Sequence, residues 1–143
     1  FAYPAKPDLK INWVCLEDVA QAMRRALRTD AADGMHVPLG GPEALVGEEV
    51  AANLSEAIGR PVRFQSLAPE EFAARMSELV TGSRDVQPLS IYDGMAKFYA
   101  FYNAQPTSPL LVDPAHARDL LGMEHTPHLE WAKSKDWSAG LPR

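Results

Sequence analysis

The apolar residues of the chain fall into short continuous runs and longer periodic stretches, and the two kinds alternate over its first half. The short runs predict buried strands at 11–16, 35–39 and 61–67. Each run is followed by a stretch with helical periodicity. Strands that alternate with helices are typical of parallel sheets joined by crossover helices. The pattern therefore predicts an α/β fold with a small sheet of about three short, mainly parallel strands.

The periodic stretches repeat apolar residues at spacings of three and four, as one face of a helix requires. They predict helices over 17–30, 47–59, 69–82, 87–106, 112–122 and 125–137. The predicted buried face of the first helix consists of Val19, Met23, Ala26 and Leu27, and that of the third consists of Phe72, Met76, Leu79 and Val80. No internal boundary interrupts the pattern. We predict a single domain over 1–143, with a βαβαβ part at 1–67 and a mainly helical C-terminal part at 68–143.

Composition narrows the class of protein. Hydrophobic residues make up 46% of the chain and charged residues 23%, as in a folded globular domain. The net charge of −5 argues against a nucleic-acid partner, and no apolar run is long enough to span a membrane. The single cysteine, Cys15, lies between apolar residues, which predicts a buried thiol and a cytoplasmic location. Because the chain starts at Phe1 rather than Met, we expect a fragment or a processed product.

A glycine pair after the second predicted strand is a candidate phosphate-binding loop. Gly40 and Gly41 are followed by Pro42, which lacks an N–H donor, and by Glu43, whose charge repels a phosphate. The sequence has neither the G-x-G-x-x-G spacing of a dinucleotide loop nor a Walker lysine here. The pair therefore predicts a strand-to-helix turn that depends on glycine torsions, and no residue of this chain is predicted to bind a cofactor.

Other reactive residues form no complete catalytic or metal-binding pattern. His125 and His128 flank a Thr-Pro pair without a cysteine pair or acidic cluster at metal-ligand spacing, which favours a solvated or capping role. No G-x-S-x-G elbow occurs, and the spacing of Tyr92 and Lys97 places them poorly for a shared helix face. We predict no catalytic residue and no metal ligand.

The helix predicted over 87–106 is dense in aromatic residues. One face carries Ile91, Met95, Phe98 and Tyr102, and Tyr92, Tyr99 and Phe101 extend it. Such a broad aromatic face indicates core packing, the wall of an apolar ligand pocket, or an oligomer interface. The sequence leaves these alternatives open.

Three motifs, in order, resemble a known family over most of the chain. INWVCLEDVAQAMRRAL resembles the strand and helix that follow the Rossmann core of extended and atypical short-chain dehydrogenase/reductases. GMHVPLGGPEALVGEEVAANLSEAIGRPVRFQ resembles the NmrA-like branch, in which a strand ends in G-P-E and G-R-P-V leads into the next strand. LLGMEHTPHLEWAK resembles the closing segment of that branch. By this resemblance Asp18 stands at the head of its helix.

The resemblance implies that the chain is the C-terminal, substrate-binding lobe of an NAD(P)-dependent NmrA-like oxidoreductase. The parent protein would bind NAD(P) through an N-terminal Rossmann half that this chain lacks, and that half would be its partner. A small apolar substrate and a homo-oligomer are further possibilities. By analogy of place, the candidate substrate-contacting residues are Tyr92, Met95, Phe98, Tyr99 and Tyr102.

The resemblance leaves open whether the parent protein is an enzyme. This chain alone is predicted to be inactive and to bind no NAD(P). The alternatives are a lobe of a non-catalytic NAD(P)-sensing regulatory protein, and a stand-alone ligand-binding or oligomerising domain.

Overall fold

The computed structural model describes residues 1–138, and within them helices alternate with very short strands. The strands are β1 (Ala2–Tyr3), β2 (Ile11–Asn12), β3 (Ala44–Leu45) and β4 (Gln65–Ser66). The helices are α1 (Leu16–Ala26), α2 (Gly47–Ile58), α3 (Pro69–Thr81), α4 (Ile91–Ala104), α5 (Pro114–Leu121) and α6 (His128–Lys133). A single 3₁₀ turn at Asp30–Ala32 follows α1. The α/β class and the mainly helical second half agree with the sequence pattern.

The strands form two separate two-stranded sheets among the described residues, which corrects the prediction of one sheet of about three mainly parallel strands. β1 pairs with β4 in parallel, and β2 pairs with β3 antiparallel. The predicted strand at 35–39 is irregular. A strand needs a neighbour to complete its hydrogen bonds, and Pro38 also removes one donor from this run. Apolar periodicity alone does not reveal whether such a neighbour exists.

Local signals define the helix ends close to the predicted positions. At the start of α2 the Glu49 carboxylate accepts a hydrogen bond from the backbone N–H of Val46 at 2.9 Å. The helix ends at Gly59, whose φ of 73° lies in the left-handed region that glycine adopts readily. The α5 helix begins with Pro114 behind Asp113, whose carboxylate accepts from the Ala115 N–H at 2.9 Å.

The helices pack in pairs: α1 with α5, α2 with α6, and α3 with α4. Two small clusters of buried residues form the core: Ala5, Leu9 and Ile11 belong to the N-terminal segment, and Ala22, Leu121 and Met123 lie where α1 meets α5.

The predicted buried faces of α1 and α3 are partly wrong. On α1, Met23 is 62% exposed and Leu27 is 88% exposed, whereas Ala22 is buried. On α3, Leu79 and Val80 are likewise exposed. These helices have an apolar side that no other described element covers.

Asn12, the second residue of β2, joins two distant segments of the chain. Its side-chain amide donates to the carbonyl of Gly41 at 2.9 Å, and its side-chain oxygen accepts from the N–H of Val112 at 2.9 Å. Its backbone N–H donates to the carbonyl of Leu110 at 3.1 Å. Because Asn12 is buried, these bonds satisfy polar groups that water cannot reach.

The glycine pair lies directly against this segment. A Cβ on Gly41 would be 1.9 Å from the carbonyl oxygen of Trp13, and one on Gly40 would be 2.7 Å from the Cβ of Asn12. Neither glycine has a positive φ. The prediction of a turn that depends on glycine torsions is therefore wrong in its reason: the pair is needed because two backbones approach closely.

Candidate functional site

A cavity of about 750 Å³ lies between the segment after β2, helix α2 and the region around α6. Its apolar wall is formed by Phe1, Trp13, Val14, Val50, Leu54, Ile58, Pro61, Val62, Trp131 and Trp137. All three tryptophans of the chain belong to this wall. The volume and the apolar lining are those of a small-molecule site.

Neighbouring groups hold the tryptophans in place. The rings of Trp131 and Trp137 meet edge to face with centroids 6.0 Å apart, and the indole N–H of Trp137 donates to the carbonyl of Ala132 at 2.7 Å. The ammonium of Lys135 lies 5.8 Å from the centre of the Trp131 ring and forms an ion pair with Glu17. The wall is therefore ordered before any ligand binds.

On the opposite side, the Trp13 ring packs edge to face on Tyr3, with centroids 4.9 Å apart. Its indole N–H is buried and has no hydrogen-bond partner among the described residues. The ring orientation is thus fixed by aromatic packing.

A buried carboxylate organises the edge of the cavity. Asp18, in the first turn of α1, accepts hydrogen bonds from the backbone N–H of Thr126 at 2.7 Å and from its hydroxyl at 3.0 Å. Thr126 lines the cavity, as does Cys15 just before α1. Burial raises the pKa of the Cys15 thiol, so this group stays protonated near neutral pH.

His128 brings a polar ring to the cavity wall. Its backbone N–H donates to the Glu43 carboxylate at 2.9 Å, and its Nδ1 lies 3.2 Å from the side-chain nitrogen of Asn53. Because the amide nitrogen of Asn53 can only donate, Nδ1 accepts and the neutral ring carries its proton on Nε2. Desolvation lowers the pKa of His128 despite the opposing charge of Glu43, which favours the neutral ring.

The prediction of a solvated or capping role for the two histidines is wrong. His128 is half-buried and lines the cavity, while Glu43 binds the first N–H of α6. His125 is buried, and its Nε2 has no hydrogen-bond partner in the described part of the chain. The sequence gives no sign of this burial because His125 lies in an irregular segment and His128 begins a helix of only six residues, too short for apolar periodicity to show its buried face.

The glycine turn does not fit a dinucleotide phosphate. The space next to Gly41 is filled by the backbone of Trp13, and the space next to Gly47, at the start of α2, is filled by the ring of Phe64. Glu43 points its carboxylate at the N–H of His128. A phosphate would meet backbone, a ring and a negative charge at this turn.

The aromatic residues of α4 lie outside the cavity wall and cluster around Tyr3. The hydroxyls of Tyr99 and Tyr3 are 2.9 Å apart, and the Tyr99 ring also packs edge to face on Phe72. Phe98 packs on Tyr102 with centroids 4.3 Å apart. Desolvation and the Tyr99 hydrogen bond raise the pKa of Tyr3 well above its ordinary value, so its hydroxyl is protonated.

None of the predicted substrate-contacting residues lies on the wall of this cavity. Tyr92, Met95 and Tyr102 are partly exposed on α4, Phe98 is 48% exposed, and Tyr99 is engaged with Tyr3. Their contact with a substrate stays a prediction. Lys97 forms an ion pair with Asp93 at 2.7 Å.

Two further features are absent from residues 1–138. No group of histidine, cysteine and acidic side chains in this range is arranged to hold a metal ion. No helix in the same range is both long and apolar enough to cross a membrane.

No protein-family model matches the chain, but curated proteins do. An NAD(P)H azoreductase of Xenophilus azovorans is 36% identical over 91 residues, a match that covers 64% of this chain and 30% of that protein. An agroclavine dehydrogenase of Claviceps fusiformis is 34% identical over 76 residues, covering 53% of this chain and 26% of that protein. The matches thus span about a third or less of these relatives.

Solved structures share the fold over nearly the whole chain. An NADPH-dependent quinone oxidoreductase of Escherichia coli superposes with a TM-score of 0.67 at 23% identity, over 94% of this chain and 45% of that one. A nucleoside-diphosphate-sugar epimerase of Staphylococcus aureus gives a TM-score of 0.66 at 21% identity, over 93% and 43%. The predicted resemblance to NmrA-like, NAD(P)-dependent proteins is confirmed. The likeness extends over less than half of each solved structure, as expected for a C-terminal part.

Proposed function

We propose that this chain is the substrate-binding lobe of an NAD(P)-dependent oxidoreductase of the NmrA-like type. The observation that carries the proposal is the cavity of about 750 Å³ with all three tryptophans in its wall. A pre-ordered, largely apolar cavity suits an aromatic or aliphatic substrate. The likeness to an azoreductase, a dehydrogenase and a quinone oxidoreductase supports redox chemistry in the parent protein.

The proposal divides the chemistry between two parts of the parent protein. Hydride transfer belongs to the nicotinamide cofactor, which another part of the parent would bind because the turn at Gly41 has no room for a phosphate. This lobe binds and orients the substrate and excludes water from it. The aromatic face of α4, with Phe98 and Tyr102, is a second surface that would contact the substrate.

The Rossmann half of the same protein is the partner we assign to α1. Leu16, Met23 and Leu27 are 81%, 62% and 88% exposed, and their spacing places them on one face of the helix. The chain exposes 9050 Å² of surface, against about 7300 Å² for a compact monomer of its mass. An apolar stripe with excess surface is what a lobe shows when a packed neighbour is missing.

A neutral aromatic probe tests the cavity. We expect phenylnaphthylamine to accept energy from the excited tryptophans of the chain, because all three line the cavity. Leu54→Phe, which fills part of the cavity, should weaken binding, and Leu79→Phe on the exposed side of α3 should not. If the probe binds both variants and the unsubstituted chain with equal affinity, the cavity is not a ligand site.

The coding sequence upstream of Phe1 separates the enzyme from its alternatives. A G-x-x-G-x-x-G loop together with a Tyr-x-x-x-Lys pair supports the oxidoreductase. A loop without the pair supports the regulatory sensor. If both the loop and the pair are absent, the oxidoreductase proposal is wrong, and a ligand-binding domain that acts alone is the remaining alternative.

A further inference from the structure

The position of one wall residue, Trp13, depends on a residue outside the cavity. Its indole N–H is buried without a hydrogen-bond partner in the described part of the chain, so no such bond orients the ring. The ring packs edge to face on Tyr3, with centroids 4.9 Å apart, and against the buried cluster of the N-terminal segment. Tyr3 is not a residue of the cavity wall, yet it supports one that is.

Tyr3 is in turn held by helix α4. The hydroxyls of Tyr3 and Tyr99 are 2.9 Å apart, and their rings meet edge to face with centroids 5.4 Å apart. Phe72 of α3 packs against both rings. Since the Tyr3 hydroxyl is partly buried, the bond to Tyr99 replaces contact with water and restricts the side chain.

The same face of α4 holds the backbone next to Tyr3. Asn103 follows Tyr99 by four positions and therefore lies on the same side of the helix. Its side-chain nitrogen donates to the carbonyl of Pro4 at 3.0 Å, and its side-chain oxygen accepts from the N–H of Lys6 at 2.9 Å. Because these bonds hold the two backbones together, loss of the Tyr99 hydroxyl should leave α4 in place and release mainly the Tyr3 side chain.

We propose that Tyr99 is a positioning residue for the cavity: it holds Tyr3, and Tyr3 holds Trp13 in its place on the wall. The three side chains form a continuous series of contacts from α4 to the cavity. A ring that is held before the ligand arrives loses little freedom on binding, so this support raises affinity. The inference rests on the proposed ligand-binding function of the cavity and adds a residue that regulates its affinity from outside.

Tyr99→Phe tests this role because it keeps the ring and removes the hydroxyl. We expect it to weaken the binding of phenylnaphthylamine by about twofold to fivefold, since only part of the free energy of one hydrogen bond reaches the wall. Tyr3→Phe removes the same bond and should have a similar effect, and the double variant should bind little worse than either. Thr81→Val, which removes a hydroxyl bonded to the carbonyl of Ser77 within α3, is the control and should leave affinity unchanged.

A fluorine signal on each tryptophan shows whether the effect acts through Trp13. The chain has three tryptophans, so incorporation of 5-fluorotryptophan gives three resonances, and Trp13→Phe identifies the one of interest. In Tyr99→Phe we expect the Trp13 resonance to shift or broaden and those of Trp131 and Trp137 to stay in place. Because a general loss of stability would act on every tryptophan, this measurement separates positioning from destabilisation.

The outcomes distinguish this inference from the proposed function. If Tyr99→Phe binds the probe like the unsubstituted chain while Leu54→Phe binds it more weakly, the cavity is a ligand site that Tyr99 does not regulate, and the inference is overturned. If Thr81→Val weakens binding as much as Tyr99→Phe, or if the resonances of all tryptophans move together, the effect is general and the inference is again overturned. If Leu54→Phe leaves binding unchanged, the cavity is not a ligand site and the proposed function fails as well.

Discussion

Asp18 and Thr126 are separated by 108 positions in the sequence and are joined by two hydrogen bonds of 2.7 and 3.0 Å. Asp18 is buried in the first turn of α1, and Thr126 lies on the cavity wall just before α6. The contact therefore fixes one edge of the cavity to the start of α1. Its strength decides whether that wall stays ordered.

Replacement of either partner should destabilise the protein. Asp18→Asn replaces one acceptor oxygen with a donor, and Thr126→Val removes the hydroxyl. We expect each change to lower the free energy of unfolding by about 1–3 kcal/mol, because it leaves a buried polar group without its partner. Urea denaturation measures this. Asp119→Asn, at an exposed carboxylate, is the matched control and should change stability little.

The double variant tests whether the two side chains act together. Its loss of stability should be smaller than the sum of the single losses by about 0.5 kcal/mol or more, since the same bond is removed twice. Additive losses would mean that the hydroxyl bond to Asp18 contributes nothing measurable.

The sequence predicts the helices well because their signals are local. Helix α2 (Gly47–Ile58) matches the predicted range of 47–59 to within one residue, with an acidic first turn and a glycine at its end. The run at 35–39 was predicted as a strand and is irregular, because strand pairing depends on a neighbour that the sequence does not specify. Long-range pairing is the information that periodicity lacks.

The cavity was not predictable for the same reason. Trp13 lies more than a hundred positions before Trp131 and Trp137, so the three share no common periodic face. The aromatic residues of α4, by contrast, are close together along the chain and form a pattern that the sequence shows. A cavity wall built from residues at 1, 13–15, 50–63 and 126–137 leaves no local pattern in the sequence.

The glycine turn gives a second prediction. Gly41→Ala should destabilise the protein strongly, by about 3 kcal/mol or more, because a Cβ would lie 1.9 Å from the carbonyl oxygen of Trp13. Gly94→Ala, within α4, has open space around the new methyl group and should stabilise the protein by about 0.5–1 kcal/mol. Thermal unfolding of both variants checks the contrast; similar effects in the two would refute the close approach at Gly41.

The His128 ring predicts a pH dependence of stability. Desolvation lowers its pKa in the folded protein, and this outweighs the charge of Glu43, which acts in the opposite direction. As the pH falls through 6.5, the ordinary value, the unfolded chain takes up the proton first. The contribution of His128 is therefore fully present above that pH, and stability declines as the pH falls towards the lowered pKa.

His128→Gln isolates this contribution. Glutamine keeps an acceptor for Asn53 but does not titrate. We expect the free energy of unfolding of the variant to fall less steeply in acid than that of the unsubstituted chain. Urea denaturation across pH 5–8 measures both. The other three histidines are common to both proteins, so an unchanged slope would show that His128 does not sense pH.

The apolar stripe of α1 predicts self-association of the isolated chain. Leu16 and Leu27 are 81% and 88% exposed on one helix face, and burial against a second copy would remove them from water. Sedimentation should therefore show mass that increases with concentration. Leu16→Gln combined with Leu27→Gln should shift the chain towards a monomer, because it removes apolar area without touching a buried contact. Leu79→Gln with Val80→Gln, on the exposed side of α3, is the matched control. A monomer at all concentrations before any substitution, or dissociation caused equally by both pairs, would show that α1 is not the associating face.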